Sequence, residues 1–207
     1  MVRIYNQDCL VAMKQMKDKY FDLAIVDPPY GIGRAVINGD KKVYRKKWEG
    51  NDWDTKIPEP LYFDELKRCS KHQIIWGGNY FPLPPTSCWV IWDKMQNFSG
   101  ADFEMAWTSF DKPCKAFRMS RADAYINNGE KKIHPTQKPS ALYKWILENY
   151  AIGGDCKILD THLGSGSSAI AAYDMGYDFT GYEIDADYFA AAQDRLNHHM
   201  QQGRLFE

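Results

Sequence analysis

A chain of 207 residues and 24.0 kDa has room for one domain with a substantial core, and 44% hydrophobic with 26% charged residues is ordinary globular composition. A formal net charge of −1 excludes a broadly basic coat, so any surface for nucleic acid has to be local. No apolar run reaches membrane-spanning length and no signal-type segment opens the chain; five scattered cysteines (Cys9, Cys69, Cys88, Cys114, Cys156) without a paired CxxC argue against zinc and a disulfide framework and for a reducing cytoplasm.

Val2-Arg3-Ile4-Tyr5 reads as a strand, and Leu10, Met13 and Met16 then recur at helical spacing behind Asp8, a natural helix cap. Phe21 to Val26 is a near-continuous apolar run, ended by Asp27-Pro28-Pro29-Tyr30 and Gly31-Ile32-Gly33. That pattern predicts a central parallel strand with a rigid loop at its carboxyl end, the edge where open α/β sheets bind ligands. Two prolines remove two backbone donors and fix φ, so a carboxylate, a bare carbonyl and an aromatic face are presented together. Such a set suits a flat ring bearing an exocyclic amino group. By themselves the four residues also read as a strand-ending acid, a turn and a core-edge tyrosine. From Arg34 to Lys47, six basic residues (Arg34, Lys41, Lys42, Arg45, Lys46, Lys47) stand against the single acid Asp40, a local charge of +5. Tyr44, Trp48 and Trp53 are interleaved or adjacent. The stretch is either a solvated loop or a phosphate-contacting flap that orders on binding.

Tyr62 to Cys69 reads as a helix; Gln73 to Trp76, Cys88 to Trp92 and Phe103 to Thr108 read as strands. Residues 112–132 carry Arg118, Arg121, Lys131 and Lys132 without strong periodicity. His134-Pro135-Thr136-Gln137-Lys138-Pro139 is a proline-bounded turn opening an amphipathic helix with Leu142, Trp145, Ile146, Leu147 and Tyr150 as apolar positions. Lys157 to Asp160 is a strand, Gly164-Ser165-Gly166 leads into a helix from Ala169 to Met175, and Phe179 to Glu183 is the next strand. This is a nucleoside-type βαβ unit, with Glu183 lying 23 residues after Asp160; about 20 is usual for an acid that holds ribose hydroxyls. The plainer alternative is a tight turn with Glu183 solvated at a strand end.

Asp27–Tyr30, then His134–Pro139, then Asp160–Ser168 is an order that resembles the S-adenosylmethionine-dependent DNA amino-methyltransferases of the circularly permuted β group, and the resemblance covers nearly the whole chain. It implies a Rossmann-like fold: a seven-stranded, mostly parallel sheet with helices on both faces. A single domain, 1–207, would comprise a catalytic region 1–111 with the basic loop 34–54, a short target-recognition segment 112–133 and a cofactor region 134–207. By the resemblance, Asp27 and the Pro28 carbonyl hold the target amino hydrogens, with Pro29 in the same loop, and Tyr30 stacks on the base. Gly164, Ser165 and Gly166 approach the cofactor, Asp160 lies beside them, and Glu183 meets the ribose. Thr136, Gln137 and Lys138 match a turn near the methionine end, and Asp8 with Cys9 falls near the adenine of the cofactor. The implied partner is double-stranded DNA with the base flipped out, held by the basic loop and by Arg118 and Arg121. There is no membrane role, and a homodimer is compatible.

An acid at the first motif position resembles the adenine-modifying branch, so transfer to the 6-amino group of adenine is the expectation, with no metal. Serine there is more typical of cytosine amino methylation. The chain departs from the family at Thr161-His162-Leu163, where Pro and an aromatic are common, and in its short recognition segment, which fits loose sequence specificity. The compact size fits an orphan or phage-type enzyme and leaves a restriction partner open. Rivals are cytosine-N4, RNA or protein-glutamine methylation, a catalytically silent DNA-binding subunit, and a dehydrogenase, which the missing third glycine and the Pro-Pro-Tyr loop disfavour. His134 and His162 are read as structural.

Overall fold

The computed structural model describes residues 1–32, 54–96, 101–127, 130 and 132–203. The basic stretch with Arg34, Lys41, Lys42, Arg45, Lys46 and Lys47 lies outside the described residues. The strands are β1 (Val2–Asn6), β2 (Phe21–Val26), β3 (Ser70–Trp76), β4 (Trp89–Asp93), β5 (Phe103–Thr108), β6 (Lys115–Arg118), β7 (Lys157–Asp160) and β8 (Asp178–Glu183). The helices are α1 (Cys9–Lys14), α2 (Pro60–Cys69), α3 (Ser140–Tyr150), α4 (Ser167–Asp174) and α5 (Ala186–Gly203).

One sheet runs in the order β1-β8-β7-β2-β3-β5-β4-β6. All neighbouring pairs are parallel except β3–β5 and β5–β4. Among the described residues the sheet therefore has eight strands rather than the expected seven. The addition is β6, four residues along β4, in register from Val90↔Lys115 to Asp93↔Arg118. Its side chains are mostly exposed and it is too short for alternation to register as a pattern. Helix α5 was likewise not expected: its inward positions Tyr188, Ala192 and Leu196 have helical spacing, but an alanine in the middle weakens the apolar stripe.

Parallel strands covered on both faces need side chains that are apolar in both directions. Leu23, Ile25, Ile74, Trp76 and Ile158 pack with Leu142, Ile146, Ala171 and Leu196 of α3, α4 and α5. Their strand neighbours Ala24, Val26, Ile75 and Leu159 pack with Met13, Tyr62, Phe63 and Leu66 of α1 and α2. The period-two split of β2, β3 and β7 between two apolar layers places helices on both faces. Among the described residues no helix is long and apolar enough to cross a membrane.

The carboxyl ends of β8, β7, β2, β3, β4 and β6, and the amino end of antiparallel β5, share one edge of the sheet. Glu183, Asp160, Asp27, Gly77, Glu104, Lys94 and Arg118 thus follow one another along that edge. From β2 the chain proceeds to β3 on one side, and from β7 to β8 on the other. The β2–β7 crevice is a topological switch point, where ligands bind in sheets of this kind.

Candidate active site

The loop after β2 is fixed from both ends. The Tyr30 and Gly31 backbone N–H groups donate to Asp54 Oδ1 at 2.8 and 3.2 Å, and Asp54 is 4% exposed. The Tyr30 hydroxyl donates back to Asp27 Oδ1 at 2.6 Å, and the Lys138 ammonium lies 2.5 Å from Asp27 Oδ2. Burial pushes the Asp27 carboxyl up, and Lys138 pulls against it. The Tyr30 ring stacks on Tyr80 (5.1 Å between centroids, 15° between planes) and meets the edge of Phe81 at 6.2 Å. It also rests against Gly77, whose φ of +68° suits a residue without Cβ. A Cβ there would stand 2.2 Å from Tyr30 Cε1. Gly77→Ala is therefore expected to be destabilising by about 1–3 kcal/mol from the backbone alone. A thermal melt checks this, at roughly 2–4 °C per kcal/mol; an unchanged Tm would show that residue 77 does not keep that backbone conformation.

The second half of the site is built on β7 and β8. Asp160, 2% exposed, accepts the His162 N–H at 2.9 Å and the Ser168 hydroxyl at 2.5 Å. Burial pushes its carboxyl up to about 7, and the charges of Asp27 and Glu183 push the same way. Glu183 accepts the Gly164 N–H at 2.9 Å and the Asp185 N–H at 3.0 Å, one on each oxygen, so it braces the glycine turn. Gly164 (φ +53°) faces the His134 ring, and Gly166 (φ +75°) opens α4. The Arg195 guanidinium donates to the Ser165 carbonyl at 2.8 Å and to the Ser167 hydroxyl at 2.9 Å, pinning the turn from α5.

Asp8 caps α1, accepting from the Leu10 and Val11 N–H groups at 2.7 and 3.3 Å, and burial pushes the adjacent Cys9 thiol up to about 12. In the 134–139 turn, Thr136 is exposed while Gln137 is buried and accepts the Ile133 N–H at 2.9 Å. Burial holds His134 down to about 3 and His162 to about 4, which keeps both rings neutral. Arg118 stands at the end of β6 with its guanidinium 3.4 Å from Asp93; its side chain is 73% exposed, and Arg121 is exposed as well. The site thus gathers Asp27, Tyr30, Lys138 and Asp160, while Arg118 lies at the far end of the same edge.

Sequence reading missed Glu104, Lys94, Tyr80, Asp54 and Arg195. Glu104 did leave a trace, as the one charge inside the apolar run Phe103 to Trp107.

This is the α/β methyltransferase fold with its candidate site at the switch point. A family model described as DNA methylase, of the N6/N4 methyltransferase type, matches residues 65–194, and the chain belongs to that family. Similar proteins include the type II methyltransferase M.ScaI of Streptomyces caespitosus, 23% identical over 94% of this chain and 81% of its own length. The type II methyltransferase M.HpaI of Haemophilus parainfluenzae is 22% identical over 94% of this chain and 74% of its own. Among solved structures, the M1.HpyAVI–SAM complex has a TM-score of 0.60 at 19% identity, covering 94% of this chain and 100% of that one. The cytosine-N4-specific PvuII DNA methyltransferase has a TM-score of 0.61 at 13% identity, covering 96% of this chain and 91% of that one.

Proposed function

We propose that the protein transfers a methyl group from S-adenosylmethionine to the exocyclic amino nitrogen of a DNA base, and that the base is adenine. The observation that carries this is the placement of a partly buried Asp27, in an intact Asp-Pro-Pro-Tyr loop, across the switch point from Asp160 and the Glu183-braced glycine turn. Family membership supports amino methylation of DNA, and the acid at the first motif position favours adenine.

The residues present suit the cofactor. The Glu183 oxygens accept backbone N–H groups and, with about four lone-pair sites between them, keep capacity for a ribose hydroxyl. Asp160 is a buried carboxylate whose ionised form a nearby cation would favour. Gly164, Ser165 and Gly166 would lie along the ligand, Thr136 and Gln137 near its methionine end, and Asp8 and Cys9 near its adenine. S-adenosylmethionine supplies a methyl group already activated on a sulfonium.

The protein's own task is to free an aromatic amine's lone pair, which is delocalised into the ring. Hydrogen bonds from both amino hydrogens, to Asp27 and to the Pro28 carbonyl, favour a pyramidal nitrogen and stabilise positive charge as it develops. Alignment supplies the rest through proximity. Removing the base from the duplex costs a few kcal/mol, offset by stacking on Tyr30. Arg34, Lys41, Lys42, Arg45, Lys46, Lys47, Arg118 and Arg121 would bind phosphates. The likeness to the PvuII enzyme keeps cytosine N4 as the second reading.

The test is incubation with labelled S-adenosylmethionine and unmethylated DNA, RNA or protein, then digestion. Label in N6-methyladenine is expected. Label in N4-methylcytosine would move the assignment to the second reading, and label only in RNA or protein would overturn it.

A further inference from the structure

Lys138 is tied less to the cofactor turn than to the base side of the site. Its side chain is 1% exposed, and its ammonium lies 2.5 Å from Asp27 Oδ2 and 3.1 Å from Glu104 Oε2. Glu104 Oε1 in turn pairs with Lys94 at 2.6 Å, a side chain 7% exposed. The ammonium also stands over Trp76, 4.9 Å from the ring centroid. Two cations alternate with two carboxylates, so the row Asp27–Lys138–Glu104–Lys94 is neutral in sum, with both lysines buried and the carboxylates of Asp27 and Glu104 partly exposed. A buried charge left single is expensive, whereas one bracketed by opposite charges is held in place and in its ionised form.

That bracketing matters for the reaction. An Asp27 that takes up a proton turns one oxygen from acceptor to donor. It would then repel an amino hydrogen there and could not stabilise positive charge developing on nitrogen.

We propose that Lys138 is a positioning residue for methyl transfer, acting through Asp27 by holding it as an oriented carboxylate, with Glu104 and Lys94 completing the charge balance. The proposal rests on the reading of Asp27 as the acceptor for the target amino group. The charged and titratable groups facing Asp27 are Lys138 from the turn before α3, Glu104 from β5, Tyr30 from its own loop, Tyr143 from α3 and Asp160 from β7. Of these, Lys138 supplies the positive charge in contact with it.

The test compares wild type with Lys138→Met, Lys138→Arg and Glu104→Gln. The Asp27 carboxyl is followed by carbon NMR, its signal assigned by its loss in Asp27→Asn, and kcat is followed against pH on DNA. In Lys138→Met the Asp27 pKa should rise by two units or more and the acid limb of kcat should move up with it. S-adenosylmethionine affinity should stay within about threefold, and Lys138→Arg should restore most of the limb. Glu104→Gln removes a negative neighbour and should move Asp27 and the limb to lower pH. If Lys138→Met does not fold, Lys138→Gln, which keeps a hydrogen-bond donor but no charge, takes its place and should raise the Asp27 pKa and the acid limb in the same way, whereas a merely structural role predicts no such shift. An Asp27 pKa indifferent to both changes overturns the proposal, as does loss of activity in Lys138→Met through cofactor affinity alone. If wild type methylates no DNA, the functional reading fails, while the NMR titration still decides the Lys138–Asp27 coupling.

Discussion

Asp27→Asn is expected to lower kcat for methyl transfer roughly a hundredfold to a thousandfold, the loss typical when one preorganised group aimed at developing charge is removed. Binding of S-adenosylmethionine, measured by calorimetry, should be little changed, because Asp160 and the glycine turn stand on β7 and β8, across the crevice from Asp27 on β2. The substitution also leaves Lys138 with Glu104 as its one contacting carboxylate among the described residues. Breaking a buried pair from one side costs about 3–5 kcal/mol, so a clear fall in Tm should accompany the kinetic loss. The double variant Asp27→Asn with Lys138→Met separates the two effects: it should recover stability without recovering turnover. Near-wild-type kcat in a folded Asp27→Asn protein would remove Asp27 from the chemistry.

Asp160→Asn should have the opposite effect on the ligand-free protein. The folded-state carboxyl is raised from 3.8 to about 7, which by linkage is a penalty of up to about 4 kcal/mol. The sign follows from the direction of the shift. Below the unfolded value both states hold the proton and there is no penalty. As pH rises towards 7 the unfolded chain loses its proton first, so stability falls, and above 7 the full penalty remains. Asparagine cannot ionise, so the variant should be more stable than wild type at pH 8 and the two should converge towards pH 4. Urea titrations at several pH values measure this; a difference independent of pH would mean that Asp160 ionises without penalty. A cation bound beside Asp160 should relieve the penalty, so S-adenosylmethionine affinity in wild type should weaken below pH 7 by at most about tenfold per unit. It should be flat over that range in the variant.

The strands that position the site were legible because they are buried on both faces, and continuous apolar runs such as Phe21 to Val26 leave little else for the chain to be. The glycine turn and the acid that braces it were legible because a tight strand-to-helix turn restricts residue choice. Strand β6 and helix α5 were not: one is short and exposed, and the other buries an alanine where a larger side chain would have marked the stripe. Contacts across long sequence separations were also hidden. Lys138 meets Asp27 across 111 residues, and nothing local to either says so. Within the 134–139 turn, it is Lys138 that reaches the loop following β2, a contact that no local pattern announces.

The sheet order has a consequence for synthesis. Strand β2 pairs on one side with β3, which is translated soon after it, but on the other with β7, where Leu23 meets Ile158. Among the described residues strand β1 pairs with β8 alone, Val2 lying against Phe179. An emerging chain can therefore assemble β2, β3 and α2 early, while one flank of β2 stays open until the ribosome has passed Asp160. Parallel pairing at such separation is slow to form, and an unpaired apolar strand edge is a site for mistaken association between chains. The most hydrophobic strand bordering the switch point is thus also the one most in need of shielding during translation.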